Sequence, residues 1–275
     1  MTREADEEYE DEEEDWLEGD ERPLAPARSL SMAFLATLPL FLAYELARHS
    51  IGGDLRNTSE LFIGRALAFL GEHESLARLV LIVVLAVVAF VYVRKRHWKL
   101  GHSVLRTWAE GLAGAVLLGP ILLLGTTLLG DSVDEFALRS GPPADVPDLA
   151  RTALIFGASA WEELLFRVGI YSVLYLILCR CARFLGANEL VAGWIGDAIG
   201  WIGSSLFFAA IHLEAVVQLM GAGGEPFHSG LFAWRGLAGL CLGLLYRWRG
   251  AGTAAWAHGL FNVALLLGAG PGVFV

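Results

Sequence analysis

The chain has 275 residues, is 55% hydrophobic with a mean hydropathy of +0.54, and carries a formal charge of −10. That composition excludes an ordinary soluble domain, and the absence of regular apolar/polar alternation excludes a membrane β-barrel. What remains is an all-α polytopic membrane protein, since a helix satisfies its backbone groups internally in lipid.

The charge is local. Residues 1–21 hold 13 acids and one base, and the rest of the chain holds 17 acids and 19 bases. Residues 1–28 are therefore expected to form an acidic, disordered tail that cannot bury a core. It lacks the basic n-region of a signal peptide, so the first apolar run is expected to stay as an anchor.

Seven spans are predicted over 29–47, 76–94, 104–129, 149–180, 190–220, 229–247 and 251–270, close to the roughly 18 apolar residues a crossing requires. Residues 48–75 carry a shorter amphipathic piece, Leu61–Leu70, which could lie at the interface, re-enter, or hide an eighth span. The acidic, proline-rich stretch 130–148 reads as a loop. The basic groups Arg94–Lys95–Arg96 with Lys99 and Arg106, Arg180 with Arg183, and Arg247 with Arg249 fall on one side, which the positive-inside rule makes cytoplasmic. Arg48, Arg56, Arg65 and Arg78 run against that assignment. Cys179, Cys181 and Cys241 read as packing residues without disulfide or metal.

The informative residues are polar ones at membrane depth. Glu162 and Glu163 stand side by side in an apolar stretch, where each carboxylate costs about 2.5–3.5 kcal/mol on insertion scales. Glu163 and Arg167 are four apart and can pair on one helical face. Glu162 is turned by about 100° and has no obvious local partner. His212, His258 and Asn262 lie on other apolar segments, the last two sharing a face. A Glu and a His can hold and deprotonate a water, while a second His with an Asn amide can donate to a developing oxyanion. These are the parts of amide hydrolysis. Glu45, Glu110, Asp197 and Glu214 are shallower, and Glu45 reads as interfacial. Trp161 and Trp256, beside the polar residues, read as core.

Zinc is the rival chemistry. Glu162, His212 and His258 could ligate it with water at the open position, but the H-E-x-x-H spacing is absent. A metal-free glutamate mechanism without a cofactor is the favoured reading, with zinc left open.

Glu162-Glu163-Leu-Leu-Phe-Arg167, Phe208-Ala-Ala-Ile-His212 and His258-Gly-Leu-Phe-Asn262 resemble the E-E-x-x-x-R, F-x-x-x-H and H-x-x-x-N motifs of the CPBP family. These are intramembrane proteases of the CAAX-protease, bacteriocin-processing (Abi) and Rce1-like type. The resemblance covers the span from 149 to 270 and implies a catalytic core there, preceded by an N-terminal transmembrane region over 29–148. It implies a bundle of about eight helices, seven to eight in all, around an intramembrane active-site cavity. It further implies that Glu162 activates water with help from His212, that His258 and Asn262 form the oxyanion site, and that Glu163 and Arg167 shape the pocket.

The expected activity is an intramembrane endopeptidase acting on membrane-tethered proteins or peptides, with C-terminal tail processing of the myxosortase type one possibility. No nucleic-acid partner is expected, and the expected location is a bacterial inner membrane. The alternatives are a non-proteolytic immunity protein and, with no inverted repeat to support it, a proton-coupled transporter.

Overall fold

The computed structural model describes residues 29–51, 56–65, 67–129, 148–220 and 226–268. The acidic tail (1–28) lies outside them, as does the expected acidic loop up to residue 147. The described residues are helical without a β-strand. The helices are α1 (Leu30–Ser50), α2 (Thr58–Arg65), α3 (Glu74–Lys95), α4 (Leu100–Leu129), α5 (Asp148–Phe184), α6 (Glu189–Ala210), α7 (Glu214–Val217), α8 (Ser229–Arg249) and α9 (Ala251–Gly268). Five of them, α1, α3, α5, α6 and α8, are long and apolar enough to cross a membrane, and α9 contains a shorter apolar stretch, Ala251–Leu267. This is a multi-pass integral membrane protein.

Two expected spans change shape, both at the site. The predicted span 149–180 is α5, which widens into a π-helix over Leu164–Tyr171, directly after the two glutamates. Such widenings recur at functional sites. The predicted span 190–220 stops at Ala210. Nδ1 of His212 lies 2.8 Å from the Phe208 carbonyl, the acceptor that a continuing helix would offer to the backbone N–H of residue 212. The chain turns there and resumes as the single turn of α7.

Residues 48–75 contain no further crossing among those described. Eight-residue α2 is about 12 Å long at 1.5 Å per residue, well short of the bilayer core. It is followed by the 3₁₀ segment Ala68–His73, broken at Gly71, whose φ of 55° suits glycine. α2 starts at Thr58, so the amphipathic piece begins three residues earlier than expected and buries Ser59, Glu60 and Gly64.

The core sits where α1, α5 and α9 meet, around Leu40, Phe41, Tyr44, Leu154, Trp161 and Ala255. Small residues let these backbones approach. A Cβ at Gly157 would stand 2.5 Å from the Leu40 carbonyl oxygen, and one at Gly259 would stand 2.9 Å from that of Phe156. Trp161 is 3% exposed and meets Phe41 edge-on at 4.9 Å. Trp256 and Trp108 both donate their indole N–H to the Ala36 carbonyl, at 2.8 and 2.9 Å. Both tryptophans beside the motifs are thus packing residues. α3, by contrast, buries little beyond Arg78, Ala89 and Val93 and turns an apolar surface outward.

Glu45 is paired inside the protein. It accepts from Arg78 Nη2 at 2.9 Å and lies 3.9 Å from Arg48. Arg78 also pairs with Glu60, which is 0% exposed, and Arg48 lies 3.7 Å from Glu60. Two carboxylates and two guanidiniums from α1, α2 and α3 therefore form one buried cluster. Arg56 pairs with Glu74 at 2.7 Å. Three of the four arginines that disturbed the charge rule are bound to carboxylates of the same region, so they are not free loop charges. Glu110 pairs with Arg106 and Arg249, Asp197 with Arg247, and Glu214 accepts from Gln218. Cys179 donates to the Ala192 carbonyl and Cys241 is half-buried, but Cys181 is exposed and does not pack as expected.

Candidate active site

Glu162 and Glu163 end the α-helical first half of α5 and are 6% and 1% exposed. Burial of two adjacent carboxylates demands partners. Glu163 has the expected one: Arg167 Nε lies 3.2 Å from Glu163 Oε2, and Arg167 Nη2 donates to the Gly239 carbonyl of α8 at 3.1 Å. The guanidinium also sits over the Phe208 ring at 5.6 Å. Arg167 thereby ties α5 to α6 and α8.

The second partner of Glu163 is His258. Nδ1 of His258 lies 3.0 Å from Glu163 Oε1, and Nε2 lies 3.4 Å from Glu162 Oε2. One imidazole, 4% exposed, stands between the two carboxylates. A carboxylate tied to an arginine accepts, so Nδ1 carries the proton and Nε2 faces Glu162.

Glu162 has a partner from far along the chain. Nδ2 of Asn57, at the start of α2, donates to Glu162 Oε1 at 2.7 Å. Burial requires such a donor, and it comes from the stretch that the sequence left unassigned.

His212 reaches this group through an aromatic ring. Its centroid is 5.4 Å from that of Phe208, and His258 is 5.7 Å from the same ring, both edge-on. Phe166 closes the other side at 5.2 Å. The carbonyl of Phe208 can only accept, so His212 Nδ1 carries the proton and Nε2 keeps a lone pair. His212 hydrogen-bonds to neither glutamate. Asn262, one turn beyond His258, is half-buried and makes no hydrogen bond among the described residues. The structure thus joins Glu162, Glu163, Arg167 and His258 directly, and His212 through Phe208, while Asn262 hydrogen-bonds to none of them.

Two residues escaped the sequence reading. Asn57 opens an Asn-Thr-Ser-Glu pattern that marks a helix start, but nothing in that pattern points to residue 162. Arg235, 3% exposed on α8, lies within electrostatic reach of Glu162 and His212. It was visible as a cation inside the run 229–247, whose remaining residues are apolar enough to hide it.

An apolar cavity of about 220 Å³ lies between α1, α3, α5 and α9, with Phe34, Phe41, Val88 and Leu164 in its walls. Glu163 and the hydroxyl residues Ser31 and Thr37 are its polar lining. Among the described residues, no three His, Cys, Asp or Glu side chains are grouped to hold a metal ion. Both nitrogens of His258 face glutamates, and the bond that His212 makes through Nδ1 leaves its Nε2 with a lone pair.

No curated protein and no solved structure shows a significant match to the chain. Residues 148–264, which carry every residue of the three motifs, match the family model "Type II CAAX prenyl endopeptidase Rce1-like", and over that segment the chain is similar to this family of peptidases.

Proposed function

We propose that the protein is an intramembrane endopeptidase that hydrolyses a peptide bond near the C-terminus of membrane-tethered proteins, using a water activated by Glu162. The observation that carries this is the buried pair Glu162–Glu163 bridged by one imidazole, inside the segment that matches the peptidase family. Glu163, held by Arg167, acts as an anchor: it fixes the His258 tautomer and turns Nε2 towards Glu162. Glu162 takes the proton of the attacking water, and His212, with its Nε2 lone pair, shares that work. As the tetrahedral centre forms, negative charge grows on the former carbonyl oxygen. The Asn262 amide is the donor on that side, since both nitrogens of His258 are turned to the glutamates. The proton on Glu162 then passes to the leaving amine. No step runs through a metal.

The family description supports a prenylated tail as the substrate, and the apolar cavity beside Glu163 suits the apolar part of such a tail. The proposed setting is a bacterial inner membrane. The family match does not favour a non-proteolytic immunity protein.

The test uses the purified full chain in lipid nanodiscs and a fluorogenic peptide ending in a farnesylated cysteine and three further residues. Cleavage abolished by Glu162→Gln and by His212→Ala supports the reading. Cleavage at the wild-type rate in both variants overturns it, and a rate lost on chelation overturns the metal-free mechanism.

A further inference from the structure

Asn57 does two things with one amide. Its Oδ1 accepts from the Ser59 N–H at 2.8 Å, and its backbone carbonyl accepts from Leu61 N at 2.9 Å, so it is the N-cap of α2. With Oδ1 committed to the helix, the amide can only present Nδ2 outward, and Nδ2 meets Glu162 Oε1 at 2.7 Å. The cap itself is fixed from below. The Asn57 backbone N–H donates to the Tyr44 hydroxyl at 2.7 Å, and that hydroxyl donates to Glu60 Oε2 at 2.6 Å. Glu60 is locked in turn by Arg78 and Arg48. A continuous polar chain therefore runs from the buried ion cluster through Tyr44 and Asn57 to the carboxylate of the proposed base. Ile63 of α2 packs against both the Trp161 and the Phe208 clusters, seating the helix over the site.

We propose that Asn57 is a positioning residue for the hydrolytic reaction: it holds Glu162 Oε1 so that Oε2 alone faces His258 and the attacking water. This rests on Glu162 being the base. The donor is fixed before substrate arrives, so the carboxylate enters each turnover in one rotamer. Asn57 lies outside the matched segment, which begins at residue 148, yet it bonds to Glu162 within it.

Asn57→Asp separates the amide donor from the helix cap. Aspartate caps a helix as well as asparagine does and keeps the acceptor for Ser59, but it cannot donate from its ionised form. In the nanodisc assay with the farnesylated peptide, Asn57→Asp and Asn57→Ala are expected to lower kcat ten- to a hundredfold, with KM within twofold. Asn57→Asp keeps the cap but sets a second carboxylate against Glu162, so its melting temperature is expected to fall, and kcat is compared per folded enzyme. In a Glu162→Gln background, Asn57→Ala is expected to change the residual rate by less than twofold, because its effect passes through that carboxylate.

A second measurement needs no substrate. Dicyclohexylcarbodiimide labels buried carboxyl groups, and its rate at Glu162, read by mass spectrometry of the full chain, is expected to change at least threefold in both Asn57 variants. Wild-type kcat and wild-type labelling in Asn57→Asp would reduce Asn57 to a helix cap and overturn the inference. A raised KM at constant kcat would do so too. If Glu162→Gln itself cleaves normally, it is the assignment of the base that fails, and the labelling rate then decides whether Asn57 still holds that side chain.

Discussion

His258 Nδ1 lies 3.0 Å from Glu163 Oε1, and this bond, not one to Asn262, orients the imidazole. The more deeply buried glutamate thus acts on the site through the histidine, while its neighbour faces the other ring nitrogen at 3.4 Å. Adjacent residues of one sequence motif take separate jobs because one of them is already bound to Arg167.

The two glutamates are therefore expected to fail differently. Glu162→Gln should lower kcat about 10²–10⁴-fold, the usual worth of a general base, with little change in thermal stability. Glu163→Ala should lose activity and also about 3–5 kcal/mol of stability, because Arg167 is left buried without its carboxylate. Peptide cleavage and thermal unfolding in detergent, measured on both, check the contrast. Equal melting temperatures would refute it.

Phe208 is the ring on which both imidazoles and Arg167 rest. Phe208→Leu keeps an apolar side chain but removes those ring faces. It is expected to cut kcat on the order of 10²-fold, as small displacements of reacting groups do. The rate of the farnesylated-peptide reaction, per folded enzyme, is the measurement.

The cluster Glu45, Arg48, Glu60 and Arg78 should behave as one unit. Arg78→Leu alone leaves carboxylates buried and should cost about 3–5 kcal/mol. Combining it with Glu60→Leu should recover part of that loss, since an apolar pair can replace a buried ionic one. A double-mutant cycle read by chemical or thermal unfolding distinguishes this from additive damage.

Gly157→Val is expected to destabilise by about 1–3 kcal/mol or more, since the new side chain meets the α1 backbone at Leu40 and Tyr44. The melting temperature of the purified variant gives the answer, and an unchanged value would show that α1 can move away.

Much of this was legible beforehand. The seven apolar runs correspond to α1, α3, α4, α5, α6, α8 and α9 because hydropathy over some 18 residues is a strong signal. The Glu163–Arg167 pair followed from helical spacing alone. What spacing could not give were contacts between segments. Asn57 is 105 residues from Glu162 in sequence, and Glu45 is 33 from Arg78. Nor could hydropathy see that α6 ends before His212, whose ring nitrogen bonds the Phe208 carbonyl. The same limit applied to Asn262, whose face was read from spacing while its partner was left to inference.

The ionic cluster has a consequence for how the chain is made. α1 carries Glu45 and Arg48, yet Glu60 and Arg78 are synthesised later, on α2 and α3. Until Arg78 emerges, the first helix offers lipid a carboxylate whose strongest counter-charge does not yet exist. The first three helices are therefore expected to insert as one unit, settled once the third has arrived. Because Tyr44 and Asn57 hang from that unit, the carboxylate at 162 meets its donor only after the N-terminal unit has assembled.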